Sequence, residues 1–295
     1  MRLSKIFFKT NKKSKSSLGS VEKFLRNGCF IQKYRNGRYY FLPLGMIVFH
    51  NVTRLLGEYM WKIGAQETML PLFHSNNLWE ESRRNYLGDF FVTNLIDRGG
   101  SRYNLAASPE EMYLNLIRNY NIARNDLPVN FFQFGKKFRN EYHTRGLLRL
   151  KEFTMMDSYS FHADESSFQK EYKKISDIFI KFFDDLTLKV FKIRSDGGFA
   201  GGLSAYEFVL NSKHGESKYV TTKNHQYLAH IDVAVFKKEN INLDEKMLPV
   251  KKIEIPDSVR TIADYARYFS VGPKLFTIFY NVNFIFHSFS FWVGQ

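Results

Sequence analysis

Cysteine is almost missing from this chain: Cys29 is the sole thiol in 295 residues. One thiol closes no internal disulfide, and without a Cys-x-x-Cys pattern a zinc site has no framework, so no metal ligands and a reducing, cytoplasmic setting are expected. Acid is scarce as well. Asp and Glu number 29 against 43 Lys and Arg, a formal charge of +14, and the first carboxylate along the chain is Glu22. Such a surplus favours a polyanionic partner through phosphate contacts and counterion release, without identifying it. No apolar stretch of signal-peptide type opens the chain, since Ile6-Phe7-Phe8 is three residues long. The glycines of Asp196–Phe208 permit tight turns or close ligand approach, but they lack the Lys-Ser/Thr ending of a P-loop. Charge is absent from the last 21 residues, Leu275–Gln295. That length raises a membrane span, but Asn281, Asn283, His287, Ser288 and Ser290 among alternating Phe argue instead for β structure or a misread frame, and no membrane contact is expected.

Aromatics are plentiful: 30 Phe and 17 Tyr supply a sizeable core for one or two domains. Residues 37–45 read as a short strand entering a turn. A helical period follows from Met46 through Ile47, Val48, Val52, Leu55, Leu56, Tyr59, Met60 and Ile63, with Gly64 as the stop. Glu67–Leu70 reads as a strand closed by Pro71. Ser108-Pro109-Glu110-Glu111 has the form of a capping box with proline at the first helical position. Phe168, Tyr172, Ile175, Ile178, Phe179, Phe182 and Phe183 recur at helical spacing and read as core, and Val190–Ile193 as the strand after them.

The densest chemistry lies between Phe131 and His162. Arg139 and Glu141 stand two apart, which in a strand puts both on one face; Arg149, Phe153 and Asp157 are separated by even intervals and share a face if the return strand is regular. A cation for phosphate, an aromatic plate for a base and carboxylates for amino or ribose groups would hold a nucleotide. The same residues would also serve as a cross-strand salt-bridge ladder on a solvated face.

Phe138-Arg139-Asn140-Glu141 followed by Arg149-x-x-x-Phe153-x-x-x-Asp157 resembles motif 2 of the class II aminoacyl-tRNA synthetases. The flanking words, 127–131 before it and Met156-Asp157-Ser158-Tyr159-Ser160-Phe161-His162 after it, are similar to those of the bacterial-type prolyl-tRNA synthetases. The helix from Met46 and the strand ending at Pro71 look like motif 1, where the family forms its dimer interface, and Leu78-Trp79-Glu80-Glu81-Ser82 extends the likeness. Ser108 and Glu110 resemble the Thr-x-Glu loop that meets the proline nitrogen; Gly201-Gly202 with Glu207-Phe208 matches a further family segment, with Tyr206 where His is common. The basic, serine-rich start from Arg2 to Lys15 has the composition of a transit peptide, but its spacing is similar to the native start of bacterial relatives.

The resemblance implies an α+β fold of class II type: an antiparallel sheet flanked by helices over residues 1–225, then the beginning of an editing-type inserted domain over 226–295. It implies L-proline, ATP with Mg²⁺ and tRNA(Pro) as reactants. Arg139 would serve the α-phosphate and carboxylate, Glu141 the adenine amino group, Phe153 the adenine face and Arg149 a phosphate. Ser108 and Glu110 would hold the proline nitrogen, since a secondary ammonium offers two N–H donors. His143 and Arg145, in the basic loop of motif 2, would approach the tRNA acceptor end. After Phe208 no segment reads as motif 3, whose arginine serves the γ-phosphate. The alternative is therefore a non-catalytic synthetase-like protein that binds tRNA or a partner synthetase. Threonine or serine specificity is a weaker third reading, which the Ser158–His162 word opposes.

Overall fold

The computed structural model describes residues 21–84, 91–120, 122–198, 204–212, 215, 217–235, 264, 267, 268 and 270. The basic start, the glycine pair 201–202, the segment 248–262 and the uncharged tail lie outside the described residues. The chain divides into two units, residues 1–234 with 287–295 and residues 235–286. In the second, Arg267 Nη1 lies 3.9 Å from Asp264 Oδ1. All elements named below belong to the first.

Its backbone is organised by one long hairpin. Strand β7 (Val129–Phe138) pairs antiparallel with β8 (Glu152–Phe161) over ten residue pairs, from Val129↔Phe161 to Phe138↔Glu152. The hairpin is covered on both faces: Gln133, Lys137, Phe153 and Asp157 are buried on one, and Phe132 on the other. The short β3 (Gln66–Glu67) lies parallel to β7, so this three-stranded sheet is mixed. Only two of the residues around the expected strand at 67–70 take part. Thr68 still donates its N–H to Phe132 O at 2.8 Å, but Leu70 N–H turns to the Gln133 side chain.

Helix α2 (Pro43–Lys62) begins three residues before the apolar period suggests. Pro43 occupies its first turn, where the missing N–H costs nothing and the fixed φ suits the helix. Gly64, at φ +83, ends it as expected. Helix α5 (Glu165–Asp185) is capped by Asp164, whose carboxylate accepts from Ser167 N at 2.8 Å. Its apolar stripe of Ile175, Phe179, Phe182 and Phe183 meets Leu56 of α2 and Phe208 in one core cluster. Burying each such side chain contributes about 2 kcal/mol.

A second sheet has the order β10–β9–β12–β11, with β9 (Val190–Ser195) antiparallel to β10 (Ala205–Leu210) and parallel to β12 (Leu228–His230), which pairs antiparallel with β11 (Tyr219–Thr221). A third joins β4 (Phe73–Ser75), β6 (Arg102–Leu105) and β5 (Asn94–Ile96). The hairpin of β1 (Ile31–Arg35) and β2 (Arg38–Phe41) precedes α2. The short α3 (Asn76–Glu81) and α4 (Glu110–Arg118) frame the third sheet. The α+β class read from the sequence is the one observed. Among the described residues no helix is long and apolar enough to cross a membrane.

Candidate active site

The end of β7 and the loop between β6 and α4 are sewn together by the backbone. Ala106 N–H donates to Leu72 O and Phe138 N–H to Ala106 O, both at 2.8 Å. The next residue along β7's path is Arg139, whose Nε donates to Ala107 O at 3.1 Å. Ser108 and Glu110 follow directly, so two predicted residues of one loop and a third far along the sequence meet at one buried place: Ser108 is 3%, Glu110 7% and Arg139 4% exposed.

The guanidinium of Arg139 lies between two aromatic rings, 5.1 Å from the centroid of Phe91 and 5.4 Å from that of Phe153. Burial lowers its pKa to about 10, against Glu110, Glu141 and Asp157, which support its charge. It remains a cation at neutral pH. Phe153, expected as an open plate for a base, is buried and faces this guanidinium.

Ser108 does not cap α4. Pro109 is the N-cap residue and makes no side-chain cap bond. The Ser108 hydroxyl instead accepts from Arg84 Nη2 at 2.9 Å. Arg84 Nη1 also reaches Glu110 Oε2 at 3.1 Å and Glu111 Oε1 at 2.9 Å. A buried cation outcompetes a backbone N–H for these acceptors, which is why the capping pattern fails. Burial pushes the Glu110 carboxyl up, but Arg84, the Ser108 hydroxyl and its own backbone N–H outweigh burial and hold it below the usual range. Burial and the Glu110 charge hold Glu111 above it. Beneath the Arg84 guanidinium, 5.0 Å away, sits the ring of Trp79.

A second buried polar layer underlies the first. Lys137 Nζ meets Asp157 Oδ2 at 2.5 Å, and Gln133 Nε2 donates to the same oxygen at 3.0 Å. Gly135 has no Cβ to obstruct that amine; one would lie 2.8 Å from Lys137 Nζ. Burial raises the Asp157 pKa. His74, 1% exposed, is depressed to about 4 by burial and by Lys137. Its Nδ1 has no partner among the described residues.

The remaining predicted residues lie in the connection 139–151, outside the strands. Glu141 and Arg149 therefore do not share strand faces with Arg139 and Phe153; they pair with each other, Arg149 Nη1 lying 3.5 Å from Glu141 Oε2. Arg139 N–H still takes Lys151 O in register, but the ladder ends there because Lys151 N–H turns to Gly37 O and Asn140 N–H to Phe91 O. His143 and Arg145 are exposed in this connection, where Arg145 bridges to Arg149. Among the described residues no three His, Cys, Asp or Glu side chains gather as a metal site requires. Sequence reasoning missed Arg84. The signal available for it was the adjacent pair Glu110-Glu111 at the start of a helix, whose burial demands a cation.

Chemically, the place offers a hydroxyl and a carboxylate to an ammonium and a desolvated guanidinium to a carboxylate or phosphate. A family model described as the tRNA synthetase class II core domain (G, H, P, S and T) matches residues 90–247, more than half the chain. Proline–tRNA ligase of Nautilia profundicola is 33% identical over 275 residues, covering 92% of this chain and 48% of that protein. The enzyme of the same name from Thermotoga maritima is 31% identical over 278 residues, covering 93% and 48%. The chain thus spans about half the length of the curated relatives it matches. Among solved structures, Giardia lamblia prolyl-tRNA synthetase in complex with prolyl-adenylate aligns with a TM-score of 0.59 at 18% identity, over 63% of this chain and 40% of that one. Cryptosporidium parvum prolyl-tRNA synthetase complexed with L-proline and AMP aligns with a TM-score of 0.56 at 16% identity, over 62% and 38%. These structural likenesses speak for the fold.

Proposed function

We propose a function on the premise that this chain belongs to the family of class II tRNA synthetase core domains, those for G, H, P, S and T: it supplies the site that joins L-proline to ATP and then to tRNA(Pro). The observation that carries the reading is the convergence of Ser108, Glu110 and Arg139. Support comes also from the names of the curated relatives, proline–tRNA ligases. In the first step a proline carboxylate oxygen attacks the ATP α-phosphorus and pyrophosphate leaves. In the second, a hydroxyl of the terminal tRNA ribose attacks the acyl carbon of prolyl adenylate and AMP leaves.

In this reading Glu110 and Ser108 bind the proline nitrogen, and Arg84 keeps the Glu110 carboxyl ionised to receive it. Arg139 neutralises the carboxylate and the α-phosphate, while Glu141 and Arg149 serve adenine and phosphate once their mutual pair opens. Phe153 contributes its ring beside the base. Mg²⁺ enters as part of the ATP substrate, because polyphosphate charge needs it. Catalysis is positioning and electrostatics, with no covalent enzyme intermediate. His143 and Arg145 meet the tRNA acceptor end. A homodimer through α2 and β3 and a cytoplasmic setting complete the reading. Residues 1–225 form the core in it, and 226–295 the start of an inserted domain.

A second reading, a synthetase-like protein that binds tRNA or a partner without activating proline, is favoured by the excess of basic over acidic residues, 43 against 29. Amino-acid-dependent ATP–pyrophosphate exchange decides between them. Exchange with proline, and not with alanine, threonine or serine, is expected; none from folded protein overturns the catalytic reading and leaves the binding one.

A further inference from the structure

The turn between β1 and β2 carries Arg35, Asn36 and Arg38. With Lys151, at the entry to β8, these residues line an open concavity of about 490 Å³. The turn is held rigidly. Gly37, at φ +70, accepts at its carbonyl from Lys151 N at 2.9 Å and from Glu152 N at 3.3 Å. A Cβ on Gly37 would lie 2.7 Å from Thr144 Cγ2 and 2.8 Å from Lys151 atoms, so the turn is pressed against the connection 139–151. Only glycine satisfies both that φ and that approach.

Three cations therefore share one fixed hollow, and none has a carboxylate within ion-pair distance among the described residues. The acids of adjoining segments are engaged elsewhere: Glu22 by Tyr39 and Arg26, Glu152 by Lys136, Glu141 by Arg149. Like charges fixed together without counter-ions repel, and an anion relieves them. The same hairpin also bears two exposed tyrosines, Tyr34 and Tyr40, with ring centroids 5.5 Å apart, and the Arg35 guanidinium lies 5.7 Å from the Tyr34 ring. Basic groups interleaved with exposed aromatic rings are what a single-stranded nucleic acid needs, phosphates taking the cations and bases stacking on the rings.

We propose that this hollow binds the backbone phosphates of a single-stranded RNA segment, with Tyr34 and Tyr40 as the stacking surface beside it. The proposal deepens the reading of tRNA as a substrate and rests on it. It places Arg35, Arg38 and Lys151 on one basic surface with the loop of His143 and Arg145.

The test is binding of a fluorescein-labelled single-stranded RNA dodecamer to the full chain, followed by anisotropy over a salt series without proline or ATP. In R35A/R38A/K151A the affinity at 0.1 M salt should fall at least tenfold. The slope of log affinity against log salt should shrink by about 2, since three phosphate contacts on a single strand contribute roughly 0.7 each. R35K/R38K/K151R should keep the slope, which separates loss of charge from loss of fold. K170A/K181A/K189A, which removes equal charge from α5 and the entry to β9, should bind as the unaltered chain does. Equal losses in both alanine triples, or no RNA binding by the unaltered chain, overturn the proposal. So does inorganic pyrophosphate binding that is lost in the variant while RNA binding is retained, because the hollow would then be a small-anion site. Pyrophosphate exchange, measured separately on the unaltered chain, fails or succeeds independently of this result.

Discussion

At the residue scale the decisive group is Arg84. It holds Glu110, Glu111 and Ser108 at once, in a place where an unpaired carboxylate is costly. Arg84→Ala should destabilise the fold by about 3 kcal/mol at pH 7, as removal of one partner from a buried ion pair does. In the unaltered chain the folded Glu110 pKa is depressed, so its contribution is present above the ordinary carboxylate pKa and is lost as pH falls through the folded value. Without Arg84 that depression vanishes. The penalty of the substitution should therefore be largest at pH 7 and shrink toward pH 4, as urea unfolding at several pH values would show. His74 gives a second pH signature. Its folded pKa of about 4 lies below the unfolded 6.5, so the neutral imidazole stabilises the fold above pH 6.5. That contribution drains away between pH 6.5 and 4, by at most about 1.4 kcal/mol per pH unit for one proton. His74→Gln should flatten this part of the stability profile; an unchanged slope would show that the imidazole takes up its proton equally well in both states.

At the element scale, the first turn of α2 rests on the backbone of Phe30, the residue before β1. A Cβ on Gly45 would lie 2.2 Å from Phe30 O, whereas one on Gly57 meets its nearest neighbour, Phe134, at 3.6 Å. Both are helical, where alanine is intrinsically favoured by about 1 kcal/mol. Gly57→Ala should keep some of that gain, and Gly45→Ala should lose roughly 1 to 3 kcal/mol by overpacking, measured as opposite shifts in the denaturation midpoint. Elements of this length were legible in the sequence because their patterns run long: largely alternating apolar and polar residues through the β7–β8 hairpin, and apolar residues at helical spacing from Phe168 to Phe183 in α5. Their ends were not. The ladder stops after Arg139 because Lys151 N–H turns to Gly37 O, and Ser108 abandons its cap because Arg84, 24 residues earlier, folds back over it. Those choices depend on partners distant in sequence, which a local pattern does not contain. The motif words singled out Ser108, Glu110, Arg139 and Phe153, and the fold brings these four together.

At the scale of the whole molecule, the region of α2 and β3 leaves apolar side chains in water: Trp61 is 52%, Met69 93% and Phe73 55% exposed. A second copy of the chain would cover them and is the occupant our functional reading requires. Sedimentation velocity should find a species of twice 34.8 kDa, and M69D/F73D should return it to the monomer; a monomeric unaltered chain would sink the dimer. The formal charge of +14 makes any RNA association strongly salt-dependent, so affinities measured on this chain need their ionic strength stated. The stacking of Arg84 on Trp79 reaches from the site to an optical observable. Trp79 is 1% exposed, and the Arg84 guanidinium lies 5.0 Å from its ring, where a change in the cation's surroundings should alter the indole's emission. With Trp61 and Trp292 replaced by Phe, the remaining indole becomes a resident fluorophore. Its intensity would register an ammonium arriving at Ser108 and Glu110 beside the guanidinium, in real time and without any bond being made.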